Sequence, residues 1–231
     1  MPRILKPEVS TSSIVVKNKA SDTAEILVYG IIGGDGFWEE GITLKQFSDV
    51  LKGLDSKVKN ITLRINSVGG EVFTGWAIYN LLKQSGKKIT TYVDGVAASI
   101  ASVIALAGDK VIMGEGAQIM IHSALTIAAG NSRDFLDIVN RLEDIDNLLI
   151  NLYAKKTKKT KDEIRALVQA ETWFTAETAV EIGLADEKAE DTYAIAAQYV
   201  DKAKWFKKSP SNIVTNSDLA KAKIKEILNK K

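Results

Sequence analysis

The sequence contains no cysteine, which excludes disulfides, thiolate metal sites and a thiol nucleophile. It contains one histidine, His122, so a zinc site built from two or three imidazoles is excluded too, and neither a metal nor a cofactor is expected. Long apolar runs are missing as well: the longest small and apolar stretch, Val96 to Gly108, falls short of the roughly 20 residues of a membrane span. The start, MPRILKPEVS, has no continuous apolar core of the kind a signal peptide needs. An excess of one charge is also lacking, because the formal net charge is only +2. No overall field therefore recruits nucleic acid or an anionic membrane, and a soluble, cytoplasmic protein is expected.

What is present suits one domain with a sizeable core: 231 residues, 45% hydrophobic and 26% charged. Residues 1 to about 22 are polar and weakly patterned and are expected to form a flexible N-terminal segment. The stretch 23–187 reads as the folded domain, and 188–231 as a Lys-rich tail. Ala24 to Gly30 reads as a strand, Thr43 as the cap of a helix, and Ile61 to Ser67 as an alternating strand. Gly69-Gly70 turns the chain into a helix over Glu71 to Gln84. The unit then repeats, with KITTYV as a strand, Asp94-Gly95 as the turn and Ala97 to Ala107 as the helix. Two short strands follow, DKVIM and AQIMIHS. Alternation of this kind predicts an α/β fold with parallel pairing, whose sites lie beyond the carboxyl ends of the strands.

Phe135, Ile138, Leu142, Ile145, Leu149 and Leu152 recur at spacings of three and four over about six helical turns. Such a stripe fits a seam between two copies of the chain, and equally an amphipathic helix lying on its own core. Lys155 to Lys161, KKTKKTK, leads into a capping box, Thr160-x-x-Glu163. With no aromatics interleaved, it reads as a solvated helix end rather than a nucleic-acid patch. Thr175 opens a short helix that Gly183 closes.

Chemistry is offered by VDGVAASIAS, where Ser99 stands at a helix start and the amide of Ile100 is free to donate. A serine hydroxyl needs a base, a group to orient that base, and donors for the developing oxyanion. His122 ends an apolar strand, whose surroundings favour the neutral, base-competent imidazole, and Gly69-Gly70 lies at the same predicted sheet edge. Each feature alone more often marks packing or a simple turn; together, at the ends of neighbouring predicted strands, they fit packing and a site about equally.

Four ordered segments, INSVGGEVFTGWAIYNLL, VDGVAASIASVIALAG, GAQIMIHSAL and ETWFTAETAVEIGLAD, resemble signatures of the Clp protease proteolytic subunit family. The likeness is greatest to its phage and prophage branch, the ClpP-like head maturation proteases. It covers about residues 24–187 and implies a ClpP/crotonase-type spiral of ββα units with a long handle helix at about 132–155. It further implies a ring-forming serine endopeptidase, a heptamer or stacked double ring. Protein substrates, capsid or scaffold proteins among them, would be cut in the host cytoplasm or within proheads. By resemblance, Ser99 matches the nucleophile, His122 the base, and Gly70 and Ile100 the oxyanion amides. Glu171 stands where the family has an aspartate, and Val68 where it has a proline. The family's N-terminal gating segment is not recognisable, so a Clp-type ATPase partner is left open. Competing readings are a crotonase-like acyl-CoA enzyme, which needs no Ser-His pair, and a non-catalytic ring scaffold. Signal-peptide peptidases pair serine with lysine and carry a membrane anchor, which this sequence does not show.

Overall fold

A computed structural model describes residues 13–20, 22–34 and 41–189 of the chain. Its frame is a mainly parallel sheet whose middle strands are β2 (Thr23–Ile32), β3 (Asn60–Gly70) and β4 (Lys88–Ala98). β2 pairs with β3 and β3 with β4, both in parallel. An additional strand, β1 (Ser13–Ala20), runs antiparallel to β2 at the sheet edge. The stretch expected to be flexible therefore includes a strand, paired with β2 from Ser13↔Tyr29 to Ala20↔Thr23. The proposed tail lies outside the described residues from position 190 onward.

The helices between the strands are α1 (Leu44–Lys52), α2 (Val72–Gln84) and α3 (Ile100–Ala105). Thr43 caps α1 as the sequence predicts, its side chain accepting from the Gln46 amide. All six residues of α3 are buried, so this short helix is the middle of the core. α2 docks on its start at Gly75, where a Cβ would stand 2.2 Å from Ile100 Cγ1. Only a residue without a side chain permits that approach. Ile26, Leu63, Ile65, Ile78 and Ile104 fill the space between helices and sheet, each contributing about 1.5–3 kcal/mol by leaving water.

The expected Asp94-Gly95 turn is not a turn. β4 runs through it, and the register with β3 jumps from Ile65↔Val93 to Ser67↔Ala97, so Asp94, Gly95 and Val96 form a bulge. Polar groups hold this bulge in place. Tyr29 donates its hydroxyl to Asp94 Oδ2 at 2.6 Å, Arg64 Nε donates to the same oxygen at 2.9 Å, and Val96 N donates to Asn66 Oδ1 at 3.2 Å. Burial, reinforced by the Asp94 carboxylate, pushes the Tyr29 phenol well above its ordinary value.

The bulge is also where the sheet forks. Thr90–Val93 of β4 pair with β5 (Lys110–Met113), whereas Val96–Ala98 pair with β6 (Gln118–Ile121). β5 continues to β8 (Glu187–Lys188), and β6 pairs antiparallel with β7 (Thr172–Thr175).

Three further helices are α4 (Ser132–Thr157), α5 (Lys161–Gln169) and α6 (Ala176–Ile182). The capping box at Thr160 and Glu163, the Thr175 cap and the closing Gly183 all form as the sequence predicts. α4 divides the apolar stripe into two regions. Leu149 is buried, and Ile145 and Leu152 pack against the domain's own core, whereas Phe135 is 47% exposed. Leu136 and Val139 beside it are exposed too. The own-core reading thus holds for the later part of the helix, while the apolar residues at its start are left exposed. No helix among the described residues is long and apolar enough to cross a membrane.

Candidate active site

Ser99 follows the last residue of β4 and precedes α3 with φ 55 and ψ −131, a conformation that costs a non-glycine residue of the order of 1–3 kcal/mol. It persists because the backbone is fixed on both sides. The Ser99 amide donates to Met120 O at 2.9 Å, and its carbonyl accepts from Ser102 N at 3.0 Å and Ser102 Oγ at 2.6 Å. A strained strand-to-helix turn of this kind lifts a serine side chain clear of the sheet edge.

β4 and β6 are parallel with Ala98 opposite Met120, so the residues just past their ends emerge side by side. Ser99 Oγ and His122 Nε2 are 2.8 Å apart. β7, absent from the sequence-level expectation, completes the arrangement. It runs antiparallel to β6 with Ile121 opposite Thr172, which brings Glu171 opposite His122. Glu171 has φ 50 and is held by its amide donating to Val168 O at 3.2 Å.

Burial pulls the His122 imidazole below the ordinary histidine value, although the Glu171 carboxylate and then that of Asp146 favour the charged form. The imidazole is thus neutral and able to accept a proton at neutral pH. The acid limb of kcat/KM is expected below pH ~6.5, the unperturbed histidine value. Activity should rise with pH through this lowered pKa, as a pH–rate profile would show. Linkage has the same sign: the contribution of the buried neutral ring to stability is complete above the unfolded-state value and is lost as pH falls through the folded one.

Of the two glycine amides at the end of β3, that of Gly69 donates to Ser67 Oγ at 3.1 Å. In the parallel register with β2, Glu71 N donates to Ile32 O, which turns the Gly70 N–H to the opposite side of β3, towards β4. Gly69, at φ 94, presses against the nucleophile turn: a Cβ there would lie 2.8 Å from Ser99 Cβ and 3.2 Å from Ile100 N. The five residues singled out in the sequence, Gly70, Ser99, Ile100, His122 and Glu171, therefore converge on one sheet edge. Three others found no local signal. Asp146 accepts the Ala124 amide at 2.7 Å, and Tyr153 Oη lies 2.7 Å from Ser102 Oγ.

A groove of about 600 Å³ opens beside this edge, between Val72 and Phe73 of α2, Leu125 beyond His122, and Ile138, Leu142 and Ile145 of α4. Its lining is mainly apolar, with Arg141 and Asp144 of α4 as the charged side chains.

A serine on a strained turn, hydrogen-bonded to an imidazole with a carboxylate behind it, is the constellation of nucleophilic acyl transfer. The chain belongs to the Clp protease family, whose model matches residues 43–191. It is 33% identical over 133 residues to ATP-dependent Clp protease proteolytic subunit 1 of Protochlamydia amoebophila, covering 56% of this chain and 65% of that protein. It is 30% identical to the corresponding subunit 1 of Chlamydia abortus over 74% of this chain and 93% of that one. The match thus spans just under two thirds of the first relative and nearly all of the second. The fold is also that of a ClpP1 mutant from Listeria monocytogenes, with a TM-score of 0.62 and 24% identity over 72% of this chain and 91% of the other.

Proposed function

We propose that the protein is a serine endopeptidase acting through an acyl-enzyme, a reading carried by the 2.8 Å contact between Ser99 and His122 on a strained turn. Ser99 Oγ attacks the scissile carbonyl while its proton passes to His122 Nε2. The oxyanion is held by the Gly70 and Ile100 amides, which are fixed before reaction. When the C–N bond breaks, His122 returns the proton to the departing amine, and water activated by the same imidazole releases the acyl group. Glu171 orients the ring and stabilises its charge. Turnover of a fluorogenic peptide, abolished by one equivalent of a fluorophosphonate, tests this. A crotonase-like enzyme or an inert scaffold would show neither.

Glu171→Gln keeps the shape but loses the charge. Turnover is expected to fall about 10³- to 10⁴-fold, since an amide holds the imidazole in the wrong tautomer. Glu171→Asp should lose less. Equal rates for wild type and Glu171→Gln, measured on one peptide, would remove Glu171 from the site.

The finer setting is head maturation, supported by the resemblance to the phage and prophage branch, in a ring built through the exposed start of α4. Aspartate at Leu136 and Val139 should reduce the native mass without lowering thermal stability, because neither side chain belongs to the core. An unchanged mass would leave that face without a role in assembly. General proteolysis with an ATPase is the second reading, favoured by relatives that are named ATP-dependent. ATP-independent cleavage of a capsid or scaffold precursor supports the first. Degradation that requires a Clp-type ATPase and ATP supports the second.

A further inference from the structure

α4 carries two polar side chains seven residues apart, and therefore on one face, which reach opposite halves of the Ser99–His122 pair. Tyr153 is fully buried and its hydroxyl meets Ser102 Oγ at 2.7 Å. Ser102 Oγ has one proton, and it is already committed to the Ser99 carbonyl at 2.6 Å. The Tyr153 hydroxyl must therefore be the donor in its bond to Ser102, and burial keeps the phenol protonated. The result is a directed chain, Tyr153 to Ser102 to the carbonyl of the residue held at φ 55. Two turns earlier on α4, Asp146 Oδ1 accepts the amide of Ala124 at 2.7 Å, two residues beyond His122.

We infer that α4 is the brace that sets the separation of the two reacting groups. Tyr153, acting through Ser102, fixes the carbonyl and hence the side-chain direction of Ser99, and Asp146 fixes the chain just after His122. Both are positioning residues: Tyr153 acts through Ser102 Oγ and Asp146 through the Ala124 amide, not through Ser99 Oγ. Packing alone explains neither group, because a phenylalanine would fill the same core volume without the hydroxyl, and a part-buried amide such as that of Ala124 needs an acceptor but not a charged one. The inference rests on the serine-peptidase reading above, and its test separates the two.

The variants are Tyr153→Phe, Ser102→Ala, their combination, Asp146→Asn and Asp146→Ala, with Ser99→Ala as control and activity read on the full-length chain. Tyr153→Phe and Ser102→Ala should each lower kcat and the rate of fluorophosphonate acylation by about 10- to 100-fold, the scale of a small misplacement of a reacting group. KM should stay within about twofold. Adding Tyr153→Phe to Ser102→Ala should cost nothing further, because the link is already cut. Asp146→Ala should lower kcat about 10-fold, and Asp146→Asn, which keeps an oxygen to accept the Ala124 amide, should retain several times more than Asp146→Ala.

Wild-type kcat in Tyr153→Phe and Ser102→Ala, whatever their thermal stability, overturns the brace. So does a full Tyr153→Phe effect in the Ser102→Ala background, or failure of both conservative variants to fold, which would make these groups purely structural. Activity surviving in Ser99→Ala overturns the serine-peptidase reading itself.

Discussion

Ser99→Ala is expected to abolish peptide hydrolysis and to leave the fold intact. The substitution removes the hydroxyl that meets His122 Nε2 at 2.8 Å, and loss of a serine nucleophile typically costs about 10⁴- to 10⁶-fold in turnover. The fold survives because the strained backbone is held by Met120 O and by Ser102, not by the hydroxyl. Thermal stability is expected to change by no more than about 1–2 kcal/mol, since Ser99 is partly exposed and the only cost is the lost hydrogen bond to the part-buried His122 ring. Ser99→Gly should be equally inactive yet more stable than Ser99→Ala, because φ 55 suits glycine. Activity rates and unfolding midpoints of the two variants check both statements. Turnover near wild type in either would require another nucleophile.

His122→Ala should be nearly as inactive as Ser99→Ala, and the double variant no worse than either single one, because nucleophile and base act as one unit. The sequence has no second histidine to replace the base. Removing the ring also removes a buried group that is less basic than usual, so the variant should lose the steep acid limb of the wild-type profile along with its rate. Residual hydrolysis in His122→Ala that keeps the same acid limb would assign that limb to another group. A rate within tenfold of wild type would exclude His122 as the base.

Much of this site was legible in the chain because its parts are local. The helix starts at Thr43, Thr160 and Thr175 carry their own caps, and Ser99, His122 and the glycine pair each fall at a predicted sheet edge. The sequence was less informative wherever long-range pairing decided the outcome. Asp94-Gly95 has the composition of a turn, yet β4 passes through it because Tyr29, Arg64 and Asn66 from neighbouring strands hold the bulge. β7 is only four residues long and exists through its pairing with β6; without it, nothing in the pattern places Glu171 opposite His122. Ser102 sits in an apolar run that reads as simple helix packing, and Tyr153 follows directly on Leu152, the last residue of the apolar stripe. Their hydroxyls meet across 51 positions of sequence, a contact that no local period encodes.

The stripe on α4 teaches the same lesson from the other side. A regular spacing of leucines and isoleucines says that one face is apolar, and only the neighbouring elements decide what covers it. Here the domain itself covers Leu149 and leaves Phe135 uncovered.

The most direct test of a Ser99–His122 pair is the mass of the protein after reaction with a fluorophosphonate, with the adduct mapped by peptide. The expected result is a single adduct on the peptide carrying Ser99, formed faster as pH rises through the His122 titration and absent from Ser99→Ala and His122→Ala. No adduct on Ser99 in the wild type, or labelling of His122→Ala at the wild-type rate, would contradict it.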